Sequence, residues 1–377
     1  MEKWITHRKH LHKYPELSGE EKNTSEYIIK QLKTIDVDIL SSNFSQYSIL
    51  ASVEGTGDGP SILFRCELDA LPIKEKNNFE YVSQLPDVSH KCGHDGHMTI
   101  MLALADKLVQ RKEDISTVYF LFQSAEETGE GAKSILESNK LKKYEIDYVF
   151  ALHNVPGFKM GEVLFKENAF TPRVESVRIS LTGETSHAGQ PETGVNPTRA
   201  IVELIKFFDR VHQPNQSKSN YFVSAPIFID MGSESYGTTA GSAILGYTIR
   251  SFDINYFDEV KSDFRQLMKE IENTENLKIE TEWIEPFESV ENDAQATQFI
   301  QKAAQELNAP HQELKTPFDW GEDFGILTHE YKGAMFGLGA GTETVDLHHS
   351  AYDFPDALIE KGSEMFYQIV KEINDTK

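Results

Sequence analysis

The stretch Thr117-Val-Tyr-Phe-Leu-Phe-Gln-Ser-Ala-Glu-Glu-Thr-Gly-Glu-Gly131 drives an apolar run straight into two adjacent carboxylates, Glu126 and Glu127. Thr117 to Gln123 carries no charge and is rich in β-branched and aromatic side chains, the pattern of a strand buried on both faces. The residues after it lead into a helix reaching about Ser138. The same alternation holds on either side. Tyr47 to Val53 and Ser61 to Cys66 read as strands joined by the turn Gly55 to Pro60. A helix, apolar from Met98 to Leu108, runs to about Arg111, and Tyr148 to His153 is a further apolar strand. Strands alternating with helices imply an α/β layer with a mostly parallel sheet. Polar groups at the C-terminal ends of such strands gather along one edge. Glu126, Glu127 and His153 fall just past strand ends, and Cys92 lies in a loop.

Outward from that core, residues 3 to 34 read as helical, broken at Pro15 and resuming from Glu20 to Leu32. The texture changes at about Arg173. Val174 to Leu181 alternates like a half-buried strand, and Asn196-Pro197 opens a helix to about Val211. Tyr221 to Asp230, Ser242 to Arg250 and Leu277 to Trp283 read as strands, with an amphipathic helix from Tyr256 to Glu272. Four strands and two helices in this order suit a small α+β domain inserted into the first. The expected division is therefore 1–170 with 286–377 for the larger domain and 171–285 for the insert. A helix from Asp293 to Leu307 returns the chain. Phe336 to Gly341 reads as a glycine-rich loop leading to Asp346-Leu-His-His-Ser350, and a helix from about Pro355 closes it.

A length of 377 residues favours two domains over one core. No apolar run approaches the ~20 residues of a membrane span, and the charged N-terminus lacks an apolar signal core. A net charge of −23 argues against nucleic acid or anionic lipid as partners. Two cysteines, Cys66 and Cys92, exclude a disulfide scaffold and suit a cytoplasmic thiol protein.

Ser89-His-Lys-Cys-Gly-His-Asp-Gly-His97 packs a thiol, three imidazoles and a carboxylate into nine positions at a helix start. A structural turn there needs only Ser, Asp or Gly. Cys92 and His94, two apart across a glycine, can aim both ligand atoms at one metal. Glu126-Glu127 alone would read as carboxylates solvated on a helix's first turn. Beside Cys92 and His94, one can bind a metal while the other takes a proton from activated water. His153 and His348, taken singly, read more readily as hydrogen-bonded structural residues. His7, His10, His12, His212, His311 and His329 read as bystanders.

Together these segments resemble the M20 family of metallo-aminohydrolases. The similar branch holds N-acyl-amino-acid amidohydrolases, auxin-conjugate hydrolases and N-acetyldiaminopimelate deacetylases. The resemblance runs nearly end to end. His7-Arg-Lys-His-Leu-His-Lys-Tyr-Pro-Glu-Leu17 is similar to the opening motif, and Glu67-Leu-Asp-Ala-Leu-Pro72 to Asp-x-Asp-Ala-Leu-Pro. Lys91-Cys-Gly-His-Asp-Gly-His97 is similar to Ala-Cys-Gly-His-Asp-x-His, and Phe122-Gln-Ser-Ala-Glu-Glu127 to Phe-Gln-Pro-Ala-Glu-Glu. Gly183 to Ala188, Gly321-Glu-Asp-Phe324 and Leu347-His348 follow in order.

The resemblance implies a two-metal hydrolase domain with a smaller α+β lid of the dimerisation type. It implies Cys92, His94, Glu127, His153 and His348 as metal ligands, Cys92 shared, with His349 the runner-up for His348. Glu126 would be the general base, and Asp69 a supporting residue. His187 would stabilise the oxyanion from the lid. The ions would be two divalent cations, zinc or manganese, with cobalt or nickel also admitted. Three positions depart from the family pattern. Glu67 stands for Asp, Ser124 for Pro, and Gly237-Thr-Thr-Ala-Gly241 for a segment whose Asn grips substrate. Arg250 is the implied alternative grip for a substrate carboxylate.

The activity implied is hydrolysis of an N-acyl amino acid or similar small amide, with a dipeptide as another substrate form. N-acetyldiaminopimelate deacetylation or small-peptide carboxypeptidase activity is the alternative. A metal-dependent binding protein without turnover is the non-enzyme alternative. Monomer and lid-mediated homodimer are both implied arrangements.

Overall fold

The computed structural model describes residues 1–375. Along the chain, α1 (Glu2–Lys13) and α2 (Lys22–Thr34) precede β1 (Asp38–Ser41), β2 (Ile49–Val53) and β3 (Ile62–Glu67). Then come α3 (His94–Val109), β4 (Val118–Gln123), α4 (Gly131–Glu137), β5 (Tyr148–Val155), β6 (Val163–Phe165) and β7 (Asn168–Ala169). The middle of the chain holds β8 (Arg173–Thr182), β9 (Ser186–His187), α5 (Thr198–Val211), β10 (Val223–Met231), β11 (Thr238–Thr239), β12 (Ser242–Ser251), α6 (Ile254–Glu275) and β13 (Lys278–Phe287). It ends with β14 (Glu291–Asn292), α7 (Ala294–Glu306), β15 (His311–Glu313), α8 (Gly325–Glu330), β16 (Gly333–Gly339) and α9 (Ala357–Asn374).

The chain divides into two compact units. One comprises Met1–Phe170, Val290–Pro317 and Glu322 onward; the other comprises Thr171–Ser289 with Phe318–Gly321.

The first unit is built on a sheet in the order β1-β2-β4-β3-β5-β16-β6-β15. Its central run β4-β3-β5-β16 is parallel, as is β6-β15. The pairings β1-β2, β2-β4 and β16-β6 are antiparallel. The uncharged run before Glu126 explains why the centre is parallel. Every residue of β3 and β5 is buried, so neither face can carry the alternating polar side chains of a solvated sheet. Helix α3 is apolar nearly all round and buried from His94 through Ala105. It packs on α9 and α1, and α7 packs on α9. Phe64 of β3 meets Phe366 of α9 at 4.5 Å between ring centres.

Phe336 to Gly341 is not a loop throughout. Gly333–Gly339 forms the buried strand β16, paired to β5 and β6, and only the residues after Gly339 turn away. Glycine lets Val149, Leu164 and Lys159 pack close against this strand. His153 likewise lies inside β5 rather than past its end.

The second unit is an antiparallel sheet in the order β10-β12-β8-β13. Leu204, Phe207 and Phe208 of α5 and Phe257, Phe264 and Ile271 of α6 share one core with Val177, Ile179 and Leu245 of the strands. Among the described residues, strand β9 pairs only with β11, setting His187 opposite Thr238.

Candidate metal centre

The candidate ligands in the first unit come from four segments: the turn into α3, the turn after β4, strand β5 and the loop before α9. Cys92 and His94 flank Gly93, which caps α3 at φ +103. A Cβ at Gly93 would stand 2.3 Å from Asn154 Oδ1, so conformation and space both demand glycine. Glu126 and Glu127 occupy a turn between β4 and α4, not a helix's first turn. Ala125 enters that turn at φ +57, and its N–H donates to Glu21 Oε1 at 2.7 Å. Asp69 holds the turn from the other side, accepting the Glu127 N–H at 3.0 Å and the Ser18 hydroxyl at 2.7 Å.

Hydrogen bonds to backbone carbonyls fix the imidazole tautomers. His94 donates Nδ1–H to the Asp69 carbonyl at 2.9 Å, leaving the Nε2 lone pair to the site. His153 donates Nδ1–H to the Asn154 carbonyl at 2.9 Å, and its Nε2 stands 3.4 Å from Cys92 Sγ. His94 Nε2 is 3.8 Å from Glu126 Oε2 and 3.9 Å from Glu127 Oε1. Glu127 Oε2 is 3.9 Å from His348 Nε2.

Two sets of three ligand atoms, each set within 4.8 Å, share one member. They are Cys92 with His94 and His153, and Cys92 with Glu127 and His348. Bonds of about 2.0–2.3 Å at tetrahedral angles put neighbouring ligand atoms about 3.3–3.8 Å apart. Cys92–His153 at 3.4 Å and Glu127–His348 at 3.9 Å fall at or just beyond that range, and the other pairs of each set lie within 4.8 Å. His94 Nε2 and Glu127 Oε1 are buried without a hydrogen-bond partner among the described residues, an arrangement a cation would satisfy. His349 belongs to neither set; its Nδ1 accepts the Ala351 N–H at 3.2 Å.

Electrostatics point the same way. Burial raises the Glu126 carboxyl well above its usual range, and Glu322, Glu127 and Asp323 raise it further against Arg65. Burial likewise raises Glu127 to about 7, with His94 opposing. Burial also raises the Cys92 thiol, reinforced by Glu127, Glu126 and Glu67. Burial alone would lower His94, but Asp69, Glu67 and Glu127 outweigh it and raise the imidazole to about 10. The site holds more negative charge than its own cations neutralise. Divalent ions would reverse each of these shifts toward the ligating form.

Of the three other groupings, His94-Glu126-Glu127 takes one member from each of these sets and adds buried Glu126, and the remaining two fit a metal less well. In Glu67-His94-His97, His97 already uses both nitrogens: Nδ1 with Glu67 Oε2 at 2.6 Å and Nε2 accepting the Asn154 N–H at 3.3 Å. In Glu126-Glu322-Asp323, buried Arg65 already serves as the cation. It pairs with Asp323 and with Glu67, and with Glu322 at 3.0 Å. The longer side chain of Glu67 thus ties Arg65 to His97, whereas Asp69 engages His94, Ser18 and Glu127. These supporting residues escape motif reading, although a charged Arg65 inside an apolar strand signals a buried partner.

His187 and Arg250 belong to the second unit. His187 is exposed and accepts the Gly189 N–H at Nδ1, 3.0 Å away, which leaves Nε2–H as a donor. Arg250 donates from Nη1 to the Asp319 carbonyl, and its Nε is buried without a partner among the described residues. Cys66 and Cys92 are both free thiols. His12, read as a bystander, is fully buried between Asp95 and Glu75.

The model of peptidase family M20/M25/M40 matches residues 63–372, and the chain belongs to that family. It is a metal-dependent amidohydrolase of the M20 type. Among its relatives, a Bacillus subtilis N-acetylcysteine deacetylase is 29% identical over 99% of this chain and 97% of its own. A Bacillus subtilis N-acetyl-L-cysteine deacetylase is 29% identical over 98% of this chain and 88% of its own. The Bacillus subtilis YXEP protein, described as a dinuclear metal-binding M20 peptidase, superposes with a TM-score of 0.85 at 26% identity. That match covers 100% of this chain and 99% of the other. No described helix is long and apolar enough to cross a membrane.

Proposed function

We propose that the chain hydrolyses the amide bond of a small N-acyl amino acid, using two divalent ions held by Cys92, His94, Glu127, His153 and His348. The observation that carries this reading is the sharing of Cys92 between two ligand sets, with Glu126 buried beside them. The names of the deacetylase relatives support the substrate class. Zinc or manganese suits the donor set of one thiolate, imidazoles and a carboxylate.

When bound, such ions supply the positive charge that polarises an acyl carbonyl and makes water nucleophilic at neutral pH. Glu126 takes the proton from that water and delivers it to the departing amine nitrogen. It is buried, with His94 Nε2 3.8 Å from its Oε2, so it stands beside the candidate ligands where that water would be held. Asp69 holds His94 in the ligating tautomer and fixes the Glu127 backbone. His187, with Nε2–H available, is the proposed donor to the oxyanion. Arg250 is the proposed partner of the substrate carboxylate, supported by its unpaired Nε.

The second unit is proposed as the lid and as the surface for a second copy of the chain. Its edge strand β10 exposes Ile227, Phe228, Ile229 and Met231, and α5 exposes Val202 and Ile205. Sedimentation of wild type against Ile229→Lys tests this, and a monomeric wild type would remove it. Two unpaired thiols suit a reducing cytoplasm.

Amine release tests the activity directly. Protein loaded with zinc, manganese or cobalt is offered N-acetyl and longer N-acyl amino acids, N-acetyldiaminopimelate and dipeptides. Release from the N-acyl amino acids is expected. Turnover of dipeptides alone would replace this reading with the peptidase alternative, and no turnover of any substrate would contradict it.

A further inference from the structure

Lys91 stands where the resembling motif has alanine, one residue before the shared thiol. It is completely buried. Its ammonium donates to the Tyr352 carbonyl at 2.7 Å and to Glu75 Oε1. Its own carbonyl accepts the His348 N–H at 2.8 Å. One residue therefore grips the terminal loop at two points, four residues apart.

That loop has little else to define it. Asp346 to Ala351 lies in no helix or strand, and His348 has a half-exposed side chain at φ +63. A non-glycine residue at that φ persists only when its surroundings impose it. Three other backbone bonds help: Lys76 N–H to the Ser350 carbonyl at 2.9 Å, Tyr352 N–H to the His349 carbonyl at 2.8 Å and His349 N–H to the Asp346 carbonyl at 3.2 Å. Asn77 Nδ2 also donates to the Tyr352 carbonyl, at 3.3 Å. None of these bonds an atom of His348 itself. Glu75 is fixed in turn by His12 Nε2 at 2.9 Å and the Ser83 N–H at 2.7 Å, so the buried ammonium has an anchored counter-ion. Alanine at this position could hold the His348 N–H but could not reach Tyr352.

We propose that Lys91 is a positioning residue that holds the His348 imidazole over Cys92 and Glu127. It thereby sets the affinity of the Cys92-Glu127-His348 set for its ion, leaving the Cys92-His94-His153 set alone. This rests on the two-ion reading above. His94 and His153 are oriented by the carbonyls of Asp69 and Asn154, which Lys91 does not touch.

The test uses Lys91→Met and the double variant Lys91→Met/Glu75→Gln, which also removes the charge that the ammonium faced. Lys261→Met, which breaks the buried Lys261–Glu175 pair of the second unit, controls for loss of a buried ion pair as such. Zinc titration of metal-free protein reads both binding steps. Hydrogen exchange over residues 346–352, also metal-free, reads the loop independently of any ion. In the folded Lys91 variants one ion should bind about tenfold to a hundredfold more weakly and the other as in wild type. Exchange across 346–352 should quicken, and Lys261→Met should change neither. Unaltered exchange in that loop overturns the proposal, as does equal weakening of both ions in folded protein. A wild type that takes up a single ion contradicts the two-ion reading instead, while the exchange comparison still judges the tether.

Discussion

His94 Nε2 and Glu127 Oε1 face one another 3.9 Å apart, both buried and neither hydrogen-bonded among the described residues. Without a cation, Asp69, Glu67 and Glu127 outweigh burial and raise His94 to about 10, leaving it protonated, while burial and the nearby carboxylates leave the Cys92 thiol protonated as well. Ligation requires both to lose their protons. Binding of zinc to the metal-free protein should therefore release net protons, and affinity should fall as pH is lowered. Calorimetry in buffers of differing ionisation enthalpy measures the release. Metal at about 100 times its Kd should add about 2.7 kcal/mol to unfolding stability. Metal uptake with no proton release would show that these atoms are not the ligands.

Replacing Glu126 with Gln keeps shape and removes the base. The account expects kcat to fall by roughly 10²–10⁴ with metal content unchanged. Metal analysis and amine release on the same sample measure both. An unimpaired Glu126→Gln enzyme would take the proton-transfer role from this residue.

His187 and Arg250 should separate kinetically. His187→Ala is expected to lower kcat by roughly 10²–10³, the loss typical of one oxyanion donor. Arg250→Ala should chiefly raise KM, and only for substrates with a free carboxylate. Steady-state kinetics on an N-acyl amino acid and its amide check both. Equal effects on the two substrates would rule out Arg250 as the carboxylate grip.

Stability should respond to pH through His12. Burial alone would lower this imidazole, but hydrogen bonds to Asp95 and Glu75 raise it to about 9. At or below an unfolded value near 6.5 its contribution is fully present. Between 6.5 and about 9 the unfolded chain gives up the proton while the folded chain keeps it, so the contribution declines. Above 9 it is gone. The shift corresponds to something on the order of 3 kcal/mol. Denaturant unfolding of metal-free wild type and His12→Gln should therefore differ most at pH 6 and converge by pH 10. A constant difference would exclude the charged pair.

The parallel core was legible because it is written in short, mainly apolar runs: every residue of β3 and β5 is buried, and the polar ones among them, Arg65, Glu67, His153 and Asn154, face partners rather than solvent. That Cys92, His94 and the Glu126-Glu127 pair gather in one place was legible from residue type and order, while the choice of Glu127 over Glu126 as the carboxylate beside Cys92 came only from the resemblance. What sequence could not supply was pairing across distance. Nothing local announces that Glu21 receives the Ala125 N–H, or that His97 is tied to Glu67 and so leaves the ligand groups to others. Glycines misled at Gly333–Gly339, where they mark close strand packing rather than a loop. His12 stays outside every candidate ligand group, as expected, but helical spacing could not show that it is buried between two carboxylates.

Anomalous diffraction from zinc-loaded crystals, collected on both sides of the metal edge, locates every bound ion without reference to activity. The account predicts two peaks, each within bonding distance of Cys92 Sγ, one completed by His94 and His153 and the other by Glu127 and His348. A lone peak, or two peaks that do not share that sulfur, would contradict it.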